Sequence, residues 1–306
     1  MRVLHSIEEL AAIAGPVCVA IGVFDGVHRG HQALIRRAMD EAEKARGTTV
    51  ALTFHPHPAK LLRPDAAPRL LTSTPHKQKL IEDLGCPNFL VVTFDAAFAA
   101  QAPEAFIGDL VRHSSPLHCI CVGHQWAFGR GRSGNVDLLG RLGRASGFRT
   151  IEIDPVTSGG ETISSTRIRG CIEVGDFASA RDLLGRDYTV LGTVQRGAQL
   201  GTKLGFPTAN LAAHNEQFPP DGVYAVSALF RGAWRAGVAN IGMRPTVDGV
   251  SGRLLEVHLF DFSGECYDED MEVRFDRFLR PERKFESLDA LKEQIQRDVI
   301  SARSGA

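Results

Sequence analysis

The chain has 306 residues, of which 43% are apolar and 23% charged. That length exceeds most single cores and accommodates two domains, and the composition excludes a disordered or fibrous protein. With 35 Lys and Arg against 36 Asp and Glu, for a net charge of −1, no excess of positive charge exists to attract a polyanion, so a nucleic-acid partner is not expected. The cysteines Cys18, Cys86, Cys119, Cys121, Cys171 and Cys266 are scattered, without the spacing of a zinc knuckle or a disulfide framework. Cys119 and Cys121, in an apolar run, would share one face of a strand and read as small buried residues. The N-terminus, MRVLHSIEELAAIAG, carries acidic residues and has no basic region ahead of an apolar stretch, so it does not read as a signal peptide. No apolar run reaches membrane-spanning length, so no membrane partner is expected and the cytoplasm is the expected location.

In chain order, β-branched apolar runs at Val17–Ile21, Val50–Phe54, Phe89–Phe94, Leu117–Val122 and Thr150–Ile153 predict strands. Helical patterns at Gln32–Arg46, Pro75–Leu84, Pro103–His113 and Val136–Ser146 alternate with them. The succession is βαβ, which predicts a Rossmann-like α/β domain on a parallel sheet, with ligands at the carboxyl ends of its strands. Two further helices are predicted at Ser165–Val174 and Phe177–Leu184, and a boundary near Gly185–Asp187 separates domains at 1–185 and 186–306. Beyond it, short strands broken by Gly, Pro and Asn, at Thr189–Gln195, Gly222–Phe230, Ala233–Ile241, Arg253–Phe260 and Glu272–Phe278, predict a small antiparallel barrel. An amphipathic C-terminal helix, Leu288–Ile300, is predicted to pack over it.

The first chemistry-bearing segment is Ile21–His31, IGVFDGVHRGH, where an apolar strand enters a glycine-bearing turn and then a helix. Gly22 and Gly26 let backbone approach a ligand, and the helix start offers unpaired N–H groups that favour phosphate. His28 and His31, spaced i, i+3, can share one face of the first turn and donate hydrogen bonds to charge growing on a transferred phosphoryl group. The rival readings are two surface histidines after an ordinary turn, or a zinc site, for which no Cys or carboxylate pair stands at ligand spacing. The second segment is Ile163–Arg169, ISSTRIR, whose hydroxyls can cap a helix and whose arginines can clamp phosphate.

Together these segments resemble the HxGH superfamily of nucleotidylyltransferases. The first looks like the FMN adenylyltransferase module of the bacterial bifunctional riboflavin kinase/FAD synthetases, a match strengthened by TFHPHP at Thr53–Pro58. The resemblance implies that Gly22, Phe24, Asp25, His28 and His31 form an ATP site and that Ser164, Thr166 and Arg169 close it. It implies attack of the FMN phosphate on the α-phosphorus of ATP, with Mg²⁺ neutralising charge and pyrophosphate released. His57 is either a neighbour of phosphates or flavin, or a turn histidine held between prolines. Where the family carries Gly-x-Asp/Asn-Phe-x-Phe-Gly, this chain has Gly123-His124-Gln125-Trp126-Ala127-Phe128-Gly129. Gln125 there keeps an amide, and Trp126 keeps an aromatic plane, in a pocket of altered shape. The following GRGRSGN, Gly129–Asn135, reads as a mobile basic loop with Arg130 and Arg132 solvated.

In the second half, GTVQRGAQLGTKLGFPTAN at Gly192–Asn210 holds Gly192, Gly197, Gly201 and Gly205. Such density makes poor strand and reads as a loop closing over nucleotide phosphates through backbone N–H groups; the order of a Walker P-loop is absent. Thr208 and Asn210, two residues apart, offer oxygen donors suited to Mg²⁺. The run, with Pro207-Thr208-Ala209-Asn210 intact, resembles the riboflavin kinase signature, as do PPDGVYAV, VANIGMRPTV, LEVHLFDF and FLRPERKF downstream. By that match Thr208 and Asn210 hold Mg²⁺ and ADP phosphates, with Lys203 in the glycine-rich run, Asn240 and Arg244 lining it. Glu256 takes the proton of the riboflavin 5′-hydroxyl, while Arg280 and Phe285 border either the flavin or the barrel's end. The function implied is flavin cofactor synthesis, riboflavin to FMN to FAD, with ATP as co-substrate. The alternatives are riboflavin kinase activity alone, or a flavin or nucleotide sensor that keeps both pockets.

Overall fold

A computed structural model of the chain describes residues 1–197, 201, 204–243 and 253–304, the Met243 side chain excepted. Two compact units emerge: residues 1–69 with 74–165, and residues 70–73 with 166–306.

In the first unit the strands are β1 (Arg2–Leu4), β2 (Val17–Ile21), β3 (Thr48–His55), β4 (Asn88–Thr93), β5 (Leu117–Gly123) and β6 (Arg149–Ile153). They form one six-stranded sheet in the order β1-β4-β3-β2-β5-β6, every pairing parallel. Covered on both faces, a central parallel strand must be apolar throughout; β2, VCVAI, is buried at every position. Helices α1 (Arg29–Lys44), α2 (Pro58–Leu62), α3 (Thr74–Asp83), α4 (Ala96–Ala99), α5 (Pro103–His113) and α6 (Val136–Ser146) belong to this unit. The α1 helix turns Leu34, Ile35, Ala38 and Ala42 inward, the i, i+3/i+4 stripe of an amphipathic helix. One core face gathers Val19, Ile21, Val50, Leu52, Phe106 and Ile120, and the other Cys18, Ala20, Ile35, Ala51, Phe89, Cys119 and Cys121. The paired cysteines are thus buried packing residues, as their spacing predicts. From β2 the chain moves outward through β3 and β4, then returns to β5 on the other side of β2. The carboxyl end of β2 is therefore a topological switch point, where open α/β sheets hold ligands.

A two-stranded ribbon, β7 (Thr157–Ser158) with β8 (Glu161–Thr162), leads to α7 (Ser165–Glu173), and α8 (Phe177–Leu184) follows. From Thr166 onward the chain falls in the second unit. Phe177 of α8 stacks on Phe275, with centroids 5.9 Å apart. The barrel strands are β9 (Thr189–Gln195), β10 (Ala209–Ala213), β11 (Gly222–Phe230), β12 (Ala233–Met243), β13 (Arg253–Leu259) and β14 (Asp270–Arg280). They close in the order β10-β13-β12-β11-β14-β9, antiparallel throughout. Val190, Val194, Leu211, Tyr224, Ala239, Ile241, Leu255, Val257 and Val273 fill its interior. The last helix, α9 (Leu288–Arg303), packs on β11, β12 and β14. Residues Leu70–Ser73, distant in sequence, also belong here: Leu70 O accepts from Glu216 N at 2.9 Å and Gln217 N at 3.0 Å, and Leu71 O accepts from the Asn215 amide.

Candidate functional sites

At the switch point β2 gives way to a turn that few sequences can make. Phe24, Gly26 and Val27 have φ of 53°, 83° and 40°, and left-handed backbone at a β-branched valine persists only where its surroundings over-determine it. Here they do. Val23 O accepts from Thr53 Oγ1 at 2.9 Å and Lys77 Nζ at 3.2 Å. Asp25 O accepts from Ser165 Oγ at 2.9 Å, and Val27 O from Gln32 Nε2 at 2.9 Å. Gly22 has no Cβ because one would lie 2.7 Å from the Phe24 ring, itself fully buried. Phe24 therefore serves the turn by packing, and offers a ligand only its backbone.

The turn delivers His28 as the N-cap of α1: its Nδ1 accepts from His31 N at 3.4 Å. The helix consequently starts at Arg29, three residues ahead of the predicted Gln32. The two imidazoles stack, with centroids 3.6 Å apart and planes 18° from parallel, and His31 meets the Phe24 ring edge-on at 5.4 Å. Asp25 and His28 are buried and His31 is half-buried. Burial pushes the nearby Lys77 ammonium down to about 8, with the Asp25 carboxylate opposing the shift. A helix N-terminus bearing two stacked imidazoles, on a turn that also holds a buried ammonium, favours negative charge.

Alongside lies a cavity of about 610 Å³ lined by Val23, Phe54, His57, Phe94, Phe98, Phe106, Gln125, Trp126, Phe128 and Arg132. Its aromatic wall includes Trp126 stacked on Phe128 at 4.3 Å and 15°, which suits a flat heteroaromatic ring. His57 lines this cavity, and as N-cap of α2 its Nδ1 accepts from Ala59 N at 3.0 Å. Gln125 is exposed on the cavity rim. Arg132, expected to be solvated, is exposed but also lines the cavity. Ser164 is half-buried between β8 and α7, and Thr166 and Arg169 lie on α7 in the second unit. Thr53 and Ser165 stand within TFHPHP and ISSTRIR, but nothing in those motifs marks them as clamps of this turn, and Lys77 carries no motif at all.

The barrel presents a second site on its outer face. Strand register sets Asn210 of β10 opposite Glu256 of β13, and Glu256 opposite Asn240 of β12. Side chains alternate along a strand: Leu255, Val257 and Leu259 turn into the barrel while Glu256 and His258 line the outer cavity. That cavity, about 340 Å³, is also lined by Gly201, Thr208, Asn210, Asn240, Arg280, Glu282 and Phe285. Asn240 Nδ2 donates to Glu282 Oε1 at 3.2 Å, and His258 Nδ1 donates to Pro207 O at 2.8 Å.

A Cβ on Gly197 would collide with the Asn210 amide, and one on Gly201 would lie 3.1 Å from Thr208 Oγ1. These two glycines thus bring backbone close to the Thr208 and Asn210 side chains, whose oxygens are of the hard type that suits Mg²⁺. Gly205, at φ 88°, faces open space. Gly192 does not fit the expected loop. It sits inside β9 between Ala213 and Met271, where a Cβ would come within 2.8 Å of Ala212 O. Close strand approach explains that glycine. Lys203 and Arg244 lie outside the described residues. Arg280 proves structural as well as cavity-lining: its guanidinium grips Asp298 of α9 at 2.8–3.1 Å, and Phe285 lies under it at 5.7 Å.

Comparison with known proteins agrees with this division. The FAD synthetase family model matches residues 11–167 and the riboflavin kinase model residues 184–305. The bifunctional riboflavin kinase/FMN adenylyltransferase of Escherichia coli K12 is 38% identical over 305 residues, covering 99% of this chain and 97% of its own. That of Bacillus subtilis is 36% identical, covering 97% and 94%, and that of Pseudomonas fluorescens 37%, covering 94% and 92%. A solved Streptococcus pneumoniae structure titled a macrolide-efflux protein aligns with TM-score 0.81 and 27% identity over 99% of both chains. No helix among the described residues of this chain is long and apolar enough to cross a membrane. Matched along nearly its whole length by these relatives, and by a separate model for each half, the chain belongs to the bifunctional riboflavin kinase/FMN adenylyltransferase family.

Proposed function

We propose that the barrel's outer face phosphorylates riboflavin and that the turn at the carboxyl end of β2 adenylylates the FMN so formed. The chain is an ATP-dependent transferase of flavin cofactor synthesis, making FMN from riboflavin and FAD from FMN. The observation carrying the site assignment is that each unit holds a cavity of its own beside its own chemistry-bearing motif. The domain division at 1–185 and 186–306 belongs to the same reading and is supported by family matches ending at 167 and beginning at 184.

In the kinase site Glu256 takes the proton of the riboflavin 5′-hydroxyl as its oxygen attacks the γ-phosphorus of ATP, and ADP leaves. Asn210 and Asn240, in register on either side of Glu256, orient the acceptor and the phosphates. Thr208 and Asn210 would hold Mg²⁺, which when bound supplies charge neutralisation on the phosphates. In the adenylyltransferase site an FMN phosphate oxygen attacks the α-phosphorus of ATP and pyrophosphate leaves. His28, His31 and the first N–H groups of α1 donate to the charge that develops there. The Trp126–Phe128 stack and the phenylalanine wall hold the isoalloxazine ring. Positioning and electrostatics supply the rate, since no covalent step falls to the protein. The near-zero net charge supports an enzyme with no nucleic-acid partner, and the reading places it in the cytoplasm, which fractionation of cells would check. Incubation of the purified chain with riboflavin and ATP–Mg, resolved by chromatography, tests the whole: FAD is expected. FMN alone would remove the adenylyltransferase, and unchanged riboflavin would remove both activities.

A further inference from the structure

Lys77 is 3% exposed, on α3. Among the described residues its ammonium has one hydrogen-bond acceptor, Val23 O at 3.2 Å. An ammonium carries three donors and is strongly hydrated in water, so burying it with a single acceptor costs stability that a methionine of similar length would not. The low ammonium pKa of about 8 has the same origin, since burial outweighs the attraction of Asp25. Hydrogen bonding of the turn does not account for the charge. Val23 O already accepts from the neutral Thr53 hydroxyl at 2.9 Å, and the carbonyls of Asp25 and Val27 are held by the neutral Ser165 and Gln32. Of these four clamps, only Lys77 brings a positive charge, and it brings it behind the turn that sets His28 and His31.

We propose that Lys77 is a positioning residue for adenylyl transfer, whose ammonium fixes the Val23–Asp25 turn and adds positive charge behind the phosphates, at a cost to the stability of the fold. A costly buried charge kept beside a reacting centre is the pattern of a functional residue, because a purely structural one would be replaced by an apolar side chain of the same shape. The proposal rests on the reading that the turn and its histidine pair handle the phosphates.

The test uses the full chain in a Trp234→Phe background, which leaves Trp126 of the first unit as the sole tryptophan. Lys77→Met and His28→Ala are compared for FAD formation from FMN and ATP–Mg, for riboflavin phosphorylation, and for thermal melting followed by Trp126 fluorescence. Lys77→Met is expected to lower kcat for FAD formation by roughly 10- to 100-fold with KM for FMN and ATP changed little. Riboflavin phosphorylation should stay within about twofold, because that reaction uses the other unit. The Tm should rise, since the uncompensated buried charge is gone. A kcat for FAD formation equal to the parent's would overturn the proposal, and so would a fall in Tm alongside the loss of rate, the mark of a structural role. His28→Ala separates the two levels: full activity in it removes the site reading itself, whereas an inactive His28→Ala beside a fully active Lys77→Met removes only the role of Lys77.

Discussion

Asp298 offers a quantitative check on how the barrel unit is held together. Its carboxylate, 5% exposed as a residue, accepts three bonds from the Arg280 guanidinium at 2.8–3.1 Å and one from Gln294 Nε2 at 2.8 Å. Asp298→Asn removes the negative charge and presents an N–H₂ to a guanidinium that can only donate. Breaking one side of a buried pair costs about 3–5 kcal/mol; the Arg280 side chain keeps 17% exposure, and Asn retains one acceptor oxygen, so about 2–3 kcal/mol is the expected loss. For a unit of this size that corresponds to a Tm about 4–12 °C lower. The assay is thermal melting in a Trp126→Phe background, where Trp234 on β12 reports the barrel. Because Arg280 also lines the kinase cavity and lies over Phe285, KM for riboflavin should rise while FAD formation from supplied FMN is untouched. The double variant Arg280→Met/Asp298→Leu should recover most of the Tm but not the riboflavin affinity. An Asp298→Asn protein within about 0.5 kcal/mol of the parent would refute the buried-pair argument, because surface substitutions typically fall in that range.

Further expectations follow from other sites. Glu256→Gln should leave the fold intact and lower kcat for riboflavin phosphorylation by roughly 100-fold or more, measured by single-turnover FMN formation. Trp126→Ala removes the stack on Phe128, and KM for FMN in FAD formation should rise about three- to tenfold, with riboflavin phosphorylation unchanged. Gly197→Ala should weaken ATP–Mg in the kinase reaction, because its Cβ would displace the Asn210 amide. Glu41, 2% exposed, is held by Lys44 at 2.9 Å, Arg149 at 2.7 Å and Arg37 at 3.2 Å. The Lys44 hydrogen bond, with that of Arg149, keeps its carboxyl below the usual value of 4.5, against burial. A depressed carboxylate contributes stability that is full above its unfolded value and lost as pH falls through the folded one. Glu41→Gln should therefore cost about 1–2 kcal/mol at neutral pH and flatten the acid-side stability profile below pH 4.5. Urea midpoints measured from pH 6 to pH 3 would check both.

Where local chemistry and packing agree, the sequence is a sufficient guide. The run from β2 through Gly22 and Gly26 to His28 and His31 is legible because an all-apolar strand, a glycine turn and a helix start each have a local signature. Other parts depend on distant partners. Strand β10, Ala209–Ala213, is built from weak strand formers and exists because β9 and β13 pair with it on both sides, a tertiary override of propensity. Gly192 reads as loop by composition, yet strand crowding is what requires it. Lys77 is invisible in a linear reading: a lysine on an amphipathic helix is ordinarily solvated, whereas this one is buried with its ammonium on the turn after β2. The row Asn210–Glu256–Asn240 joins residues from three strands, which no spacing along the chain reveals.

The docking of Leu70–Ser73 bears on how such proteins can be divided. Leu71 and Thr72 are 0% and 1% exposed, and their segment satisfies Asn215, Glu216 and Gln217 of the barrel unit although it is encoded within the first. The two catalytic halves are therefore not interchangeable cassettes. A gene fragment beginning at residue 166 or 186 would encode a kinase lacking one of its own packing strips, with an open apolar slot and orphaned backbone donors. Recombination between relatives would have to carry this short strip together with the distant barrel, so it is a silent constraint on shuffling that a cut at the apparent linker would violate.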